Sequence, residues 1–255
     1  MRVKEAWKWW WEDVRHPMGL IFFIYALIAA SRFGYTETLV PFFTAMIVGG
    51  ILDAVIIRVK AGVWGFPSSG LVSGSIIGLV TAYQMQLWLV ALIAAIAVLS
   101  KVVIQWKGRH FFNPANFGIL IGIYFLGAQT TWWGATSLIA VVLGGLFVVY
   151  RQRNWWTVLP FLITFFGLRA IYYATTGDVS GVLAEISGSG AVFFFTTIML
   201  IEPRTSPGRR WPRLAYALFA AALAFWFSFI PRSGDFHLAL ALANLSVPLW
   251  NRIFR

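Results

Sequence analysis

The sequence predicts an all-α, polytopic membrane protein with about ten transmembrane helices. Of its 255 residues, 60% are apolar and only 11% are charged, whereas a soluble domain carries about 25% charged residues. Apolar segments of nearly spanning length recur from end to end of the chain, and a spanning helix needs about 20 such residues. A soluble domain with so little charge would expose large apolar patches and aggregate.

The charges and the missing cysteines narrow the possible functions. The net charge is +11, from 20 basic and 9 acidic residues. In a soluble protein this excess would suggest nucleic acid, but in a membrane protein it is typical of cytoplasmic loops. We therefore expect a lipid bilayer around the chain and no nucleic-acid partner. Without cysteine, disulfides, iron–sulfur clusters, Cys-based zinc sites and covalent haem are excluded, and no metal site is predicted.

The first 16 residues differ from the rest of the chain. The stretch KEAWKWWWEDVRH combines tryptophans with charges of both signs, and no small-residue cleavage site follows the first apolar run, as a signal peptide would require. This composition favours an amphipathic, Trp-rich helix at the membrane surface over 1–16. The transmembrane domain is then expected to cover 17–255.

Ten apolar segments follow, separated by charges, Pro or Gly. They lie at about 17–31, 38–58, 69–84, 86–103, 113–127, 135–150, 155–173, 189–202, 213–230 and 236–250. The third and the eighth are the shortest, and Gly and Ser crowd their starts, in FPSSGLVSGS and EISGSGAVFFF. Short, Gly-interrupted segments at matching places in two halves indicate broken or re-entrant helices.

The distribution of basic residues predicts the orientation. With the N-terminus in the cytoplasm and alternating segments, 17 of the 20 basic residues fall in the cytoplasmic connections. The three outside are Arg32, Arg169 and Arg232. This asymmetry is what the positive-inside rule requires. We therefore expect both termini in the cytoplasm and a bacterial-type cytoplasmic (inner) membrane.

Ten segments divide into two sets of five. An odd number of segments in each half inverts one half relative to the other. The expected repeats cover about 17–127 and 135–250. HFFNPANFGI in the fifth segment and HLALALANLSVP in the tenth are weakly similar to each other, which supports the inverted repeat.

A first candidate site is WKGRHFFNPANFGI, at the start of the fifth segment. His110, Asn113 and Asn116 are spaced three apart and share one face if the segment is helical. Pro114 then occupies the first helical turn, with Asn113 as N-cap. One interpretation is a capped helix after a solvated basic loop. The other is a polar cluster that hydrogen-bonds a flat heteroaromatic ring, with the two phenylalanines after His110 packed on it.

A second candidate site is the start of the sixth segment. Thr136 and Ser137 place two hydroxyls at the membrane face beside Trp132 and Trp133. They form either an N-cap beside an interfacial aromatic belt or a position where a threonine hydroxyl carries a phosphate-bearing group.

Two further features carry charge. The stretch TTIMLIEPRTSPGRRWPR at the end of the eighth segment is either a tight cytoplasmic loop or a docking or anion-binding surface. Asp53 lies inside the second segment, and an intramembrane acid is a functional candidate by default. It either handles a cation or proton along an ion pathway, or forms an ion pair with Arg58 or snorkels.

Five motifs together resemble one known family. GLVSGSIIGLV, KGRHFFNPANFG, GATSLIAVVLGGLFVVYR, IEPRTSPG and LANLSVPLWNRI occur in this order. They are similar to motifs of RnfD and NqrB, the membrane subunits of the Rnf complex and of the Na+-translocating NADH:quinone reductase. The resemblance runs from about Pro67 to the C-terminus, some three quarters of the chain.

The resemblance implies a fold and two flavins. The fold would be ten helices in two inverted five-helix repeats, similar to urea transporters. Riboflavin would bind at the asparagine motif, which makes His110, Asn113 and Asn116 its candidate ligands, although His110 stands where family members often carry Asn. FMN would be attached through a phosphoester to Thr136. The usual acid six residues earlier is Thr130 here, a departure from the attachment signature.

The function that follows from the resemblance is electron transfer within the membrane, with possible coupling to Na+ or H+ translocation. No catalytic residue is predicted, and the chain is expected to be a subunit of a membrane oxidoreductase or translocase, working beside other electron-transport subunits. A channel or permease for a small solute is the alternative, because the same fold would support either function. A scaffold that anchors a soluble partner on the loop 204–213 is a third possibility.

Overall fold

A computed structural model describes residues 3–106, 108–230 and 234–254. Within these ranges the chain forms eleven α-helices and one two-stranded hairpin, which confirms the all-α prediction. The helices are α1 (Val3–Glu12), α2 (Arg15–Phe33), α3 (Tyr35–Ala61), α4 (Ser68–Val80), α5 (Leu87–Val103), α6 (Pro114–Phe125), α7 (Leu138–Gln152), α8 (Trp155–Thr176), α9 (Val179–Phe194), α10 (Arg210–Phe227) and α11 (Asp235–Ile253). The hairpin pairs β1 (Gln105–Trp106) with β2 (Arg109–His110).

Three helices in the described ranges are long and apolar enough to cross a membrane, namely α2, α3 and α8. Several shorter apolar helices accompany them, including α4, α5, α6 and α7. A helix of 13 residues such as α4 is only about 20 Å long, against a hydrocarbon core of about 30 Å. The shorter helices therefore need extended segments to reach across, and the number of ten spans stays a prediction.

Side chains on α3 follow the pattern that lipid requires. Its large aliphatic residues point outward, with Ile51 58% and Val59 78% exposed. The opposite face is buried and includes small or polar residues such as Thr38, Gly49 and Asp53. A helix in water shows the reverse arrangement, so the exposed stripe is suited to contact with acyl chains.

Glycines set the distance between α3 and α4. Gly70, Gly74 and Gly78 recur every four residues and form one stripe along α4. A Cβ added at Gly74 would overlap the carbonyl oxygen of Ala45, and one at Gly78 would lie 2.7 Å from the Cα of Phe42. Small residues at this spacing let two helix backbones approach closely, the usual mode of helix packing in membranes.

The third predicted segment is a short helix followed by extended chain. α4 ends at Val80, and Thr81 forms a β-bridge with Thr130. The backbone N–H groups of Thr131 and Trp132 donate to the Val80 carbonyl at 3.0 and 3.1 Å. The end of the helix is thus satisfied inside the protein, as the interior of a bilayer demands.

The eighth predicted segment is longer than expected. Helix α9 begins at Val179, ten residues before the predicted start, and continues into a π-helical turn at Phe195–Met199. Asp178 caps it, since its carboxylate accepts from the Gly181 N–H at 2.8 Å. The Gly and Ser residues that suggested a break lie within the helix, where Gly190 leaves room for the Ala135 carbonyl oxygen.

The same helix pairs pack in both halves of the chain. Within the first half, α2 contacts α4, α3 contacts α5, and α5 contacts α6. Within the second half, the corresponding pairs are α7 with α9, α8 with α10, and α10 with α11. Helix α6 also contacts α11, and α2 contacts α7, so the halves meet along these elements.

Basic side chains gather at one end of the bundle, here called the basic face. Contacts between distant loops bring this end together, including those of Lys101 with Asp53, His110 with Glu202, and Arg213 with the Arg153 carbonyl. The hydrogen bond from Arg151 to the Trp11 carbonyl holds α1 against the same end. At the opposite end, Arg169 pairs with Glu185. Of the basic residues behind the predicted orientation, Arg2, Lys107, Arg232 and Arg255 lie outside the described residues, and which side is cytoplasmic stays a prediction.

Substitution of Gly74 by Ala tests the close contact between α3 and α4. The added methyl must displace backbone, so we expect destabilisation of about 1–3 kcal/mol and a lower melting temperature. Gly19→Ala on α2 is the control, because a Cβ there meets nothing within 4 Å. Intrinsic tryptophan fluorescence of the detergent-solubilised protein measures both. Equal melting temperatures for the two variants would contradict the packing argument.

Candidate functional site

A cavity of about 300 Å³ opens at the basic face, between α2, α4, α6 and the chain after α9. Its walls come from both halves of the molecule. Apolar residues including Met18, Val72 and Ile76 form one part. The polar part includes Arg15, Ser69, His110, Asn113, Gln152 and Glu202. An apolar cavity with a few convergent polar groups is the usual form of a small-molecule or cofactor site.

Asn113 fixes the start of α6 at this cavity. Its side-chain oxygen accepts from the Asn116 N–H at 3.0 Å, which confirms the predicted N-cap. Its side-chain amide donates to the Met199 carbonyl at 3.2 Å, and its backbone N–H donates to Asn244 at 3.1 Å. The residue therefore ties α6 to the π-helical turn and to α11, while it lines the cavity.

His110 and Glu202 form a second connection across the cavity wall. The His110 Nε2 and Glu202 Oε1 atoms lie 2.9 Å apart. The Thr205 hydroxyl donates to the other carboxylate oxygen at 3.3 Å. The IEPRTSPG motif is thus in contact with the asparagine motif, although 92 residues separate the two partners.

Asn116 does not line the cavity with His110 and Asn113. It lies deeper, where its amide donates to the His237 carbonyl at 3.0 Å and its oxygen lies 2.8 Å from His237 Nδ1. The His237 ring stacks on Trp132, with centroids 5.1 Å apart and planes 12° apart. The three residues share the first turns of one helix, but the structure divides them between the cavity and the interior.

Gln152 is a cavity residue that no sequence motif predicted. It is the last residue of α7, and its side-chain oxygen is buried without a hydrogen-bond partner among the described residues. A buried acceptor left unpaired costs about 1–3 kcal/mol. A ligand that donates a hydrogen bond at this point would remove that cost. Nothing in the local sequence marks Gln152, because its position depends on the packing of α7 against the other half.

The junction of α1 and α2 also borders the cavity. Asp13 accepts hydrogen bonds from the Arg15 backbone N–H at 3.0 Å and from the Arg15 guanidinium Nε at 2.9 Å. Burial on its own would raise the pKa of the Asp13 carboxyl, but these bonds outweigh it, and the pKa lies below its usual range. Asp13 is therefore expected to stay ionised beside the cavity at neutral pH.

Asp53 forms a buried ion pair with Lys101 of α5. Its Oδ1 lies 3.4 Å from the Lys101 Nζ, and both side chains are about 10% exposed. The other carboxylate oxygen accepts from the Gly70 N–H at 2.8 Å, which caps the first turn of α4. Arg58, the partner considered from the sequence, is not the partner. Five residues along a helix place two side chains on different faces, whereas Lys101 packs across from Asp53.

Thr136 lies near the opposite end, between a short 3-10 turn (Trp133–Ala135) and α7. Its hydroxyl oxygen is buried and has no hydrogen-bond partner among the described residues. Ser137 forms the predicted N-cap of α7, accepting from the Ala140 N–H at 3.4 Å. The Thr136 hydroxyl is therefore uncommitted and suits a phosphoester, but the 3-10 turn must open before a phosphate reaches it.

Comparison with known proteins identifies the family. Residues 121–255 match the profile of the NQR2, RnfD, RnfE family. The chain belongs to this family. The RnfD/NqrB resemblance of the five motifs is thereby confirmed, and the matched region contains Thr136 and the Glu202-Pro203 pair. The chain is a membrane protein of this family with an apolar helical bundle.

One curated relative has a printed function. The chain is 32% identical over 136 residues to RnfD of Stutzerimonas stutzeri, which is named as a subunit of an ion-translocating oxidoreductase complex. The aligned region covers 51% of this chain and 38% of that relative. By its name, the relative works as one component of a larger assembly.

A double-mutant cycle tests the pair of Asp53 and Lys101. Asp53→Ala leaves a buried cation unpaired and uncaps α4, and loss of one partner of a buried pair costs about 3–5 kcal/mol. We therefore expect a clearly lower melting temperature for either single variant, and a loss in Asp53→Ala/Lys101→Ala smaller than the sum of the two. Arg58→Ala is the control with unchanged stability. Strictly additive losses would show that the pair does not couple.

Proposed function

We propose that this family member is a flavin-binding integral membrane subunit of an RnfD-type electron transport system, which passes electrons within the membrane beside other subunits. Membership of the family and the printed function of its Stutzerimonas stutzeri relative support this proposal. The observation that carries it is the cavity of about 300 Å³ at the asparagine motif.

The cavity suits a flat heteroaromatic ring such as that of riboflavin. Its volume is at the lower end of the range for small-molecule sites, about 300–1,000 Å³. Met18 and Val72 give it apolar walls. Gln152 offers an unpaired buried acceptor among the described residues, and Asn113 keeps one of its two amide hydrogens after donating to Met199. When bound, a flavin would supply reversible electron uptake, while the protein holds and orients its ring.

Thr136 is the proposed attachment point of FMN. The carrying group is its uncommitted hydroxyl, which a phosphoester would convert into an ester oxygen. Position 130 carries Thr where the attachment signature has an acid, so attachment here would proceed without that side chain. The proposal places one flavin at each end of the bundle.

The proposed architecture is ten spanning segments in two inverted five-helix repeats, with both termini in the cytoplasm and the bundle in an inner membrane. The matching helix pairs in the two halves support the repeat. The basic face supports the orientation, because cytoplasmic connections carry the excess of Lys and Arg. Coupling to Na+ or H+ is the least constrained part of the proposal, and Asp53 is its candidate residue.

Visible absorption before and after acid precipitation tests both flavin positions. We expect a yellow protein, with one fraction of flavin in the precipitate and one released into the supernatant. Thr136→Val should abolish the precipitated fraction, because it removes the hydroxyl and keeps the shape. Thr131→Val, a threonine in the same loop that is exposed, is the control with unchanged colour. Covalent flavin that survives in Thr136→Val would sink the assignment.

Filling the cavity tests the non-covalent position. Overpacking by Val72→Trp costs about 1–3 kcal/mol, so we expect the flavin released by acid to fall by roughly tenfold while the covalent fraction stays. Val72→Ala, which enlarges the cavity, should retain its flavin. Released flavin equal in both variants would place it elsewhere.

A colourless protein, folded and supplied with flavin during expression, would contradict electron transfer by this chain. Flux of small solutes into proteoliposomes is then the measurement that examines the channel alternative.

A further inference from the structure

A second cleft lies beside the candidate cofactor cavity on the basic face. Its volume is about 500 Å³, and it lies between the β2 strand, the IEPRTSPG loop and the end of α11. Arg109, Arg204 and Arg252 come from these three places and all line it. Their positions span 143 residues of sequence, so the cleft exists only because the tertiary fold brings them together.

Among the described residues, the three guanidinium groups make no ion pair, hydrogen bond or ring contact with another side chain or carbonyl. Neighbouring arginines differ, since Arg213 donates to the Pro207 and Arg153 carbonyls and Arg210 lies 3.6 Å from the centroid of Trp156. The acid nearest the cleft is also occupied, because Glu202 pairs with His110. Three arginines held together in this way repel one another unless an anion lies between them.

The floor of the cleft is polar and ordered. Thr205, Ser206 and Asn244 are buried there. The Ser206 hydroxyl donates to the Glu202 carbonyl at 2.8 Å, and Asn244 donates to the Thr205 carbonyl at 3.1 Å. These bonds fix the loop that carries Arg204, so its backbone does not need to be ordered when an anion binds.

The remaining wall is apolar. Phe111, Val247 and Pro248 line the cleft beside the arginines. The adjacent outward face of α11 continues with Leu245 and Leu249, which are 50% and 52% exposed. A free phosphate needs only the arginines. A phospholipid also uses the apolar wall and the outward face of α11 for its acyl chains.

We propose that the cleft lined by Arg109, Arg204 and Arg252 binds the phosphodiester headgroup of an anionic phospholipid. The cleft lies at the end of the bundle, the level at which headgroups surround a membrane protein. Basic pockets between transmembrane helices are known to bind anionic headgroups of this class. The arginines hold the phosphate with charge-assisted hydrogen bonds, and the acyl chains lie along α11.

Binding to delipidated protein in detergent tests the proposal. The probes are dioctanoyl phosphatidylglycerol, dioctanoyl phosphatidylcholine and inorganic phosphate, with native mass spectrometry for the lipids and thermal unfolding for all three. The test variant is Arg109→Ala/Arg252→Ala, which leaves Arg204 in place because Arg204 also borders the cofactor cavity. The charge-matched control is Arg58→Ala/Lys60→Ala at the end of α3, outside the cleft.

We expect the anionic lipid to bind more tightly than the zwitterionic one. Each lost arginine should weaken it by about fivefold, so the double variant should lose roughly 25-fold while the control stays within about twofold. Equal losses in both variants would overturn the cleft as the site. Stabilisation by inorganic phosphate equal to that by the lipid at the same concentration would overturn the lipid in favour of a free anion.

The flavin content serves as an independent readout. The double variant should retain the visible absorption of the wild type, since Arg109 and Arg252 lie outside the cofactor cavity. A lipid preference in colourless protein would support the cleft and contradict only the flavin proposal. An unchanged lipid affinity in yellow protein would do the reverse.

Discussion

The structure depends on one constraint, that backbone polar groups inside a bilayer must find partners within the protein. Helix α4 ends on both sides inside the bundle, so both of its ends need such partners. At its start the Gly70 N–H donates to Asp53, which Lys101 neutralises. At its end the Val80 carbonyl accepts from the N–H groups of Thr131 and Trp132. Every partner comes from another part of the chain, so the short helix is stable only within the complete fold.

The same constraint explains the composition of the interior. Helices that carry glycine stripes approach closely, as α3 and α4 do at Gly74. Polar side chains then concentrate where helices start inside the bundle, at Asn113 for α6 and at Asp53 for α4. Both of these starts lie at the basic face, which is where the candidate cavity forms. The cavity is polar on one side because two helix starts border it, and apolar on the other because α2 and α4 pack there.

Local features could be predicted from the sequence, and contacts between distant segments could not. The N-cap at Asn113, the proline after it and the short helix before Thr81 follow from residue types at fixed spacing. Lys101 is invisible as the partner of Asp53, because the two belong to different helices. The start of α9 was misplaced for a related reason. Glycines predict a break in isolation, whereas here Gly190 is kept in the helix because it packs on the Ala135 carbonyl.

The position of Asn116 becomes clear when both ends of the bundle are considered together. At the cavity, the Asn113 side chain accepts from the Asn116 backbone. Asn116 is hydrogen-bonded to His237, and the His237 ring stacks on Trp132. Trp132 lies four residues before Thr136. These groups form one contiguous set of contacts from the candidate riboflavin cavity to the candidate FMN position, through the centre of the protein. A polar residue buried this completely satisfies the backbone on both sides of it, and that accounts for Asn116 lying away from the cavity although it belongs to the same motif.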